Sequence, residues 1–183
     1  NTLFQVSLED PYAARFHHDA TKHAGLVYTL FHHDVVLSDG LTYKEDGYYV
    51  FDASGAQVEE WRLFDHFTPP PSANPGADAP IDYSHTNSIH VSDDLQVMLS
   101  LRFLSAVASV QGDPTKEDYG EIMWRLGGNR NDPAFGNDFT LTSSTTDIPS
   151  FLLQHHVLPD GPDRITMFDN RGLGTQPSRV IGI

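Results

Sequence analysis

Short runs of strand-forming residues, each bounded by turn residues, constrain the fold of this chain more than any other feature. Four such runs are rich in β-branched and aromatic residues and lie at residues 26–30, 48–51, 97–101 and 164–168. Gly, Asp, Asn, Ser or Pro flanks each run, as is typical of antiparallel sheets. The pattern therefore predicts an all-β fold. A stretch at residues 103–110 fits either a helix or another strand with small residues.

One segment interrupts this succession of strands. Residues 68–80 contain five prolines, and proline cannot donate a backbone hydrogen bond to a sheet ladder. We expect this proline-rich segment to be a surface loop. Strand patterns of the same kind resume on both sides of it, so the sequence indicates a single domain over residues 1–183.

A loose internal repeat is also present. Twice, a turn with glycine leads into a strand that contains tryptophan: residues 52–55 precede Trp61, and residues 118–121 precede Trp124. Segments that contain histidine alternate with these units. Repetition at roughly 40 to 70 residues suits the blades of a β-propeller with inserted loops. A β-sandwich with an irregular insertion gives a similar pattern, so the repeat leaves both architectures open.

The charge balance and the lack of cysteine exclude several functions. With 25 acidic and 11 basic residues, the chain has a formal net charge of -14. Such a chain repels phosphate backbones and has no polybasic patch for an anionic membrane, so we expect neither nucleic acid nor a membrane surface as a partner. No run approaches the roughly 20 apolar residues of a membrane span. Because cysteine is absent, disulfides, thiolate zinc sites and cysteine nucleophiles are excluded within this chain.

Histidine is the residue type with the clearest chemical potential. The ten histidines are His17, His18, His23, His32, His33, His66, His85, His90, His155 and His156. Imidazole can bind a metal, transfer a proton or act as a nucleophile. We interpret His23 and His66 as ordinary surface or core residues. The others recur where successive strand units begin, and such positions converge on the axis of a propeller, which predicts a shared pocket.

A metal site is one alternative for these histidines. His17-His18-Asp19 and His32-His33-Asp34 look like clusters of ligands. Neighbouring residues on a strand point to opposite faces, however, so neither triplet is a ready chelate. The sequence also lacks an HExxH motif and a cysteine set. We therefore predict no metal and no cofactor, and a metal-dependent hydrolase is the less favoured alternative function.

Four motifs follow one another along the second half of the chain. They are residues 82–102 (DYSHTNSI, SDD and LSLR in turn), 120–128 (GEIMWRLGG), 154–156 (QHH) and 165–170 (ITMFDN). In this order they resemble the arylsulfate sulfotransferase family, and the resemblance extends over roughly residues 16–180. That family uses no nucleotide sulfate donor. The sequence accordingly has no Gly-rich phosphate loop.

The resemblance implies both a fold and an activity. The fold would be a six-bladed β-propeller, of which this chain covers about three blades. The activity would be transfer of a sulfuryl group from a phenolic sulfate ester to a phenol through a sulfohistidine intermediate. The resemblance also implies a secreted or periplasmic protein. Because a partial propeller leaves sheet edges open, we expect blades before and after this stretch, complementing propeller segments or a homo-oligomer. A catalytically silent binding or scaffold module is the alternative function.

The resemblance further implies a catalytic set. His155 would be the nucleophile that becomes sulfated, and His85 and Arg102 would bind the sulfuryl oxygens or the leaving oxygen. His18 would complete the set. The residue types suit this chemistry, since arginine is a permanent planar cation for oxyanions and a neutral imidazole can attack sulfur. A second histidine would protonate the departing phenolate.

Three more residues are candidates for substrate binding. Asn87 shares a strand face with His85 if that segment is extended, where it would orient the imidazole or cap a turn. The others are His17 and His156, because the sequence leaves open which histidine of each adjacent pair faces the pocket.

Two further motifs look architectural. In residues 124–128 (WRLGG), tryptophan would fill space between blades, and the paired glycines would permit backbone conformations closed to other residues. The Phe168-Asp169-Asn170 turn is interpreted in the same way.

Overall fold

The computed structural model describes residues 15–70, 80–128, 132–142, 150–161, 163–171 and 177–183. Within these residues the chain forms twelve strands and one short 3₁₀ turn, Leu63–Asp65, but no α-helix. The all-β prediction is confirmed. None of the helical structure in these ranges is long and apolar enough to cross a membrane.

Three antiparallel sheets follow one another along the chain, each with its strands in sequence order. The first consists of β1 (Arg15–His23), β2 (Leu26–Val36), β3 (Thr42–Phe51) and β4 (Gln57–Arg62), with the short β5 (Ile81–Asp82) parallel to β3. The second consists of β6 (Thr86–Val91), β7 (Gln96–Leu101), β8 (Ala106–Gln111) and β9 (Ile122–Gly127). The third consists of β10 (His155–Pro159), β11 (Ile165–Asp169) and β12 (Arg179–Gly182).

All four predicted strand runs lie within strands or within one residue of them. The helical interpretation of residues 103–110 is wrong, and its strand alternative is confirmed: a turn at residues 102–105 leads into β8. β8 pairs on both sides and is buried along Ala106–Val110, so it shows no amphipathic alternation. Of the proline-rich segment, residues 68–70 and 80 lie outside any strand, and residues 71–79 lie outside the described residues.

The repeat of glycine turn and tryptophan corresponds to the last strand of the first two sheets. Trp61 lies on β4 and Trp124 lies on β9, each the fourth strand of its sheet. The Trp61 indole N–H donates to the carbonyl of Gly120 at 2.8 Å, which joins the first sheet to the second. A repeated four-stranded antiparallel sheet is the unit of a propeller blade, while the closed propeller remains a prediction.

Two apolar cores lie between consecutive sheets. Leu30 and Val50 of the first sheet pack in one core with Leu99 of the second. Met98 of the second sheet packs in the other core with Met167 of the third. Because alternate residues of a strand point to opposite faces, β7 supplies both cores, and the second sheet is covered on both faces.

The first strands of the three sheets lie side by side: β1 contacts β6, and β6 contacts β10. Polar bonds between side chain and backbone link them. The backbone N–H of Ile89 donates to Asp19 Oδ2 at 3.1 Å, and that of Val157 donates to Ser88 Oγ at 3.1 Å. Side chains near the beginning of β1, β6 and β10 therefore gather in one region.

Gly128 lies directly against the segment that precedes β10. A Cβ added there would sit 2.3 Å from the carbonyl oxygen of Phe151. Neither Gly127 nor Gly128 has a positive φ. The expectation that this pair supplies an unusual backbone conformation is wrong, since Gly128 is required because the two backbones approach so closely.

We expect Gly128→Ala to lower the free energy of unfolding by about 1–3 kcal/mol, because the added methyl group meets rigid backbone. Urea denaturation followed by circular dichroism measures the change. Gly182→Ala is the matched control, since its Cβ would have ordinary contacts of 3.7 Å or more and its φ is not positive. Equal losses in the two variants would contradict the close-approach explanation.

Candidate active site

His18 lies in a bulge of β1. The register with β2 shifts within residues 16–20, and His18 has a φ of 51°. The bulge breaks the alternation of the strand, so the Nδ1 atoms of His17 and His18 lie 2.8 Å apart. The His18 ring also meets His85 edge-on, with centroids 4.9 Å apart. Partial burial, together with the His17 and His85 imidazoles, lowers the pKa of His18, and Asp46 opposes this effect.

His85 lies in the turn before β6, with a φ of 49°. Its Nδ1 atom lies 2.7 Å from Asp82 Oδ2, and its ring packs on Phe103 with centroids 4.5 Å apart. Burial alone would raise the pKa of Asp82, but the hydrogen bond with His85 and the positive groups around it lower that pKa overall. The carboxylate therefore holds the imidazole by Nδ1 and leaves Nε2 for a ligand.

Arg102 follows β7 and is held beside His85. Its backbone N–H donates to the carbonyl of His85 at 3.2 Å, and its guanidinium lies 5.1 Å from the centre of the Phe103 ring. Its Nε atom is buried without a hydrogen-bond partner among the described residues. A buried, unpaired donor on a permanent cation is suited to an anionic ligand.

His155 begins β10, next to these groups. Burial is the largest cause that lowers its pKa, followed by the charge of Arg102, and His85 also contributes. A hydrogen bond with the backbone of Leu153 acts in the opposite direction. Asn170 Nδ2 lies 2.8 Å from His155 Nδ1. The ring is therefore held through Nδ1, and its neutral form is favoured.

The residue before His155 anchors β10 to the second sheet. Gln154 is fully buried, and its Nε2 atom lies within hydrogen-bond distance of the Ala106 carbonyl at 2.8 Å, and of the Leu101 carbonyl and Ser100 Oγ at 3.2 Å. A buried amide with several partners is costly to displace. Gln154 thus fixes the backbone from which the His155 imidazole projects.

Asn87 also supports that backbone. It is buried, and its Nδ2 atom donates to the carbonyl of Gln154 at 2.8 Å. The register between β6 and β7 shifts at residues 86–88, and His85 lies in a turn, so the expectation of a shared extended face does not apply. Asp82, rather than Asn87, is the partner of the His85 ring. Asn87 Oδ1 is buried without a hydrogen-bond partner in the described structure.

The two remaining candidates lie differently. His156 is exposed, has a φ of 53°, and lies close enough to His90 to help lower the pKa of that residue, after the larger effects of burial and His23. His17 packs on His32, with ring centroids 4.9 Å apart. In each adjacent pair, one histidine, His18 or His155, lies in the group with His85 and Arg102. The other member has a different histidine as its neighbour: His32 for His17, and His90 for His156.

A comparison with protein families identifies the family to which the chain belongs. The chain matches the family described as Arylsulfotransferase (ASST) over residues 1–179. This chain belongs to the arylsulfotransferase family. The match includes the motifs on which the resemblance was based, which confirms that resemblance. Comparisons with curated proteins and with solved structures found no match.

Membership in the arylsulfotransferase family implies sulfotransferase activity on aryl sulfates at the level of the family. The four residues for which the resemblance implied catalytic roles are His18, His85, Arg102 and His155. In the structure they come from β1, the turn before β6, the end of β7 and the beginning of β10.

Sequence reasoning assigned no role to three of the supporting residues. Asp82 precedes His85 by three positions, a spacing that brings the two side chains together across a turn. Asn170 was interpreted only as part of a turn, although it contacts His155. Gln154 was part of a motif, but its buried bonds to the second sheet leave no local pattern in the sequence.

The described structure also contains a groove of about 1100 Å³ between the second and third sheets. Trp124, Leu126 and Ile165 contribute its apolar walls. None of the predicted catalytic or substrate-binding residues lines it. We therefore assign the candidate site to the junction of the first strands, the region where β1, β6 and β10 begin side by side, and not to this groove.

One further group could hold a metal ion. His17, His32 and Asp46 each offer one ligand atom, and these atoms lie within 4.8 Å of one another. Neighbours along a single strand point to opposite faces and form no ready chelate. This group instead draws its members from three strands.

Proposed function

We propose that this arylsulfotransferase moves a sulfuryl group from a phenolic sulfate ester to a phenol, with His155 as the covalent nucleophile. One arrangement carries the proposal. The rings of His18 and His85 lie 4.9 Å apart, and Arg102 and His85 both lie close enough to His155 to contribute to lowering its pKa. The membership of the chain in this family supports the same reaction.

In the first displacement, the lone pair of His155 Nε2 attacks sulfur. An N–S bond forms while the bond between sulfur and the phenolic oxygen breaks. Attack by Nε2 requires the ring proton on Nδ1, where the Asn170 side chain lies, so the amide oxygen of Asn170 has to face Nδ1 and accept its hydrogen bond. Arg102 is the fixed cation for the sulfuryl oxygens, since its buried Nε is unpaired among the described residues.

The departing phenolate needs a proton, and His85 is the group best prepared to supply one. Asp82 holds the His85 ring through Nδ1 at 2.7 Å, which orients Nε2 for proton transfer. In the second displacement, neutral His85 accepts the proton of the acceptor phenol. The phenolic oxygen then attacks sulfur, the N–S bond breaks, and His155 is regenerated, which gives ping-pong kinetics.

The three sheets are, in this proposal, successive blades of a six-bladed propeller. Two four-stranded sheets and one three-stranded sheet, with their first strands side by side, support this architecture. The secreted or periplasmic location rests on the resemblance alone and remains a prediction. So do complementing propeller segments and a homo-oligomer.

The covalent intermediate is the direct test of this function. After exposure to 4-nitrophenyl sulfate without an acceptor, we expect the intact mass to rise by about 80 Da, the mass of one sulfuryl group. Peptide mapping should place the adduct on His155, and addition of a phenol should remove it. Absence of an adduct across several aryl sulfates would contradict the proposal and favour a silent binding module.

A further inference from the structure

Three potential metal ligands face one another across the first sheet. His32 on β2 and Asp46 on β3 are directly opposite partners in the antiparallel ladder. His17 reaches them from the bulge in β1, where its ring packs on that of His32. The three ligand atoms lie within 4.8 Å of one another. Since two members are a fixed cross-strand pair, the sheet itself holds most of this group in place.

The spacing of this group suits a tetrahedral metal. Ligands at 2.0–2.1 Å from Zn²⁺ lie about 3.3 Å apart in a tetrahedral site. His17 Nε2 and Asp46 Oδ1 lie 3.4 Å apart. His17 Nε2 is also buried and has no hydrogen-bond partner in the described part of the chain. A buried ring nitrogen that faces a carboxylate oxygen at this distance leaves a position for a cation.

The surroundings of the group orient its members. Asp46 is buried, and its Oδ2 atom accepts hydrogen bonds from the Ser84 hydroxyl and from the backbone N–H of Thr86. These bonds leave Oδ1 to face His17. The other nitrogen of His17, Nδ1, contacts His18. Protein metal sites characteristically hold both the carboxylate and the second nitrogen of each histidine through such outer contacts.

We propose that His17, His32 and Asp46 bind a divalent first-row transition metal, with Zn²⁺ as the representative ion. Two imidazoles and one carboxylate are a ligand set that such ions accept with a coordination position left open. The group adjoins the proposed catalytic residues, since His17 Nδ1 contacts His18 Nδ1. A bound ion would clamp the bulge of β1 and so fix the backbone that presents His18.

Isothermal titration with Zn²⁺ alone tests this site in the purified, metal-stripped protein. We expect one binding event that is lost in His32→Ala and in Asp46→Asn. Ser84→Ala, which removes a support of Asp46 and no ligand, should weaken binding about 10- to 100-fold. His23→Ala, on the same strand as His17 but outside the group, is the matched control and should bind as the wild type does.

Thermal unfolding with and without Zn²⁺ is the second measurement. The wild-type midpoint should rise with Zn²⁺, because a ligand that binds only the folded state stabilises it. If His32→Ala does not fold, Ser84→Ala still tests the site. Absence of Zn²⁺ binding, or binding unchanged in the Ser84, His32 and Asp46 variants, would overturn the proposal. Loss of binding in His155→Ala alone would also overturn it, by placing the ion among the transfer residues.

Metal binding and sulfuryl transfer are measured separately. A protein that binds Zn²⁺ and forms no sulfohistidine would support the metal site and contradict the proposed function. A protein that forms the sulfohistidine and binds no Zn²⁺ would support the proposed function and contradict the metal site.

Discussion

Replacing His155 with alanine should abolish transfer from 4-nitrophenyl sulfate, with kcat reduced about 10⁴-fold or more. The variant lacks the only nucleophile of the proposed first displacement. His85 would not replace it, because the proposed mechanism uses its ring, held by Asp82 through Nδ1, as the proton donor to the departing phenolate. Release of 4-nitrophenolate at saturating phenol measures the effect.

Two other variants make this result specific. His23→Ala, at the end of β1, should retain activity because it lies outside the proposed site. His156→Ala decides between the two adjacent histidines, since His156 is exposed and lies towards His90. Full activity in His155→Ala, or a larger loss in His156→Ala, would refute the assignment of the nucleophile. Thermal unfolding of each variant separates chemistry from misfolding.

Replacing Arg102 with alanine should reduce kcat/KM for 4-nitrophenyl sulfate about 10³-fold. The guanidinium lies in a partly buried position, where a charge-assisted bond to a sulfuryl oxygen is strong. Arg102→Lys should recover only part of the activity, because an ammonium group lacks the planar fork of arginine. Arg164→Ala is the control, since that guanidinium is well exposed and pairs with Asp160.

The same variant should change the pH dependence. His155 attacks as the neutral ring, so activity falls as the pH drops through its pKa. Burial and the charge of Arg102 both lower that pKa. Without Arg102 the pKa rises, and the acidic limb of the kcat/KM profile should move to higher pH. An unmoved limb together with unchanged kcat/KM would show that Arg102 acts on neither His155 nor the substrate.

Local patterns in the sequence were sufficient for most strands. Residues 26–30 and 97–101 are short runs of β-formers between turn residues, and both lie in strands. The ambiguity at residues 103–110 has a physical cause. β8 is buried on both faces, so its small and apolar residues carry neither the period of a strand nor that of a helix.

The candidate site was only partly predictable. The resemblance pointed to His18, His85, Arg102 and His155, which the fold brings to the junction of the first strands. Asp82 was detectable in principle, because it lies three positions before His85 across one turn. Asn170 and Gln154 were not detectable in this way, because their contacts join segments that are distant in the chain. Asn170 contacts His155, and Gln154 bonds to the second sheet.

The sequence by itself determined the all-β class, the lack of thiol chemistry and the residue types available for sulfuryl transfer. These follow from composition and from side-chain alternation, which are local. Tertiary structure decided which histidine of each adjacent pair has which neighbours. The positive φ values of His18, His85 and His156 interrupt strand alternation, and no residue pattern specified them in advance. It also brought His17, His32 and Asp46 together, because a ladder pairs residues by register and not by distance along the chain.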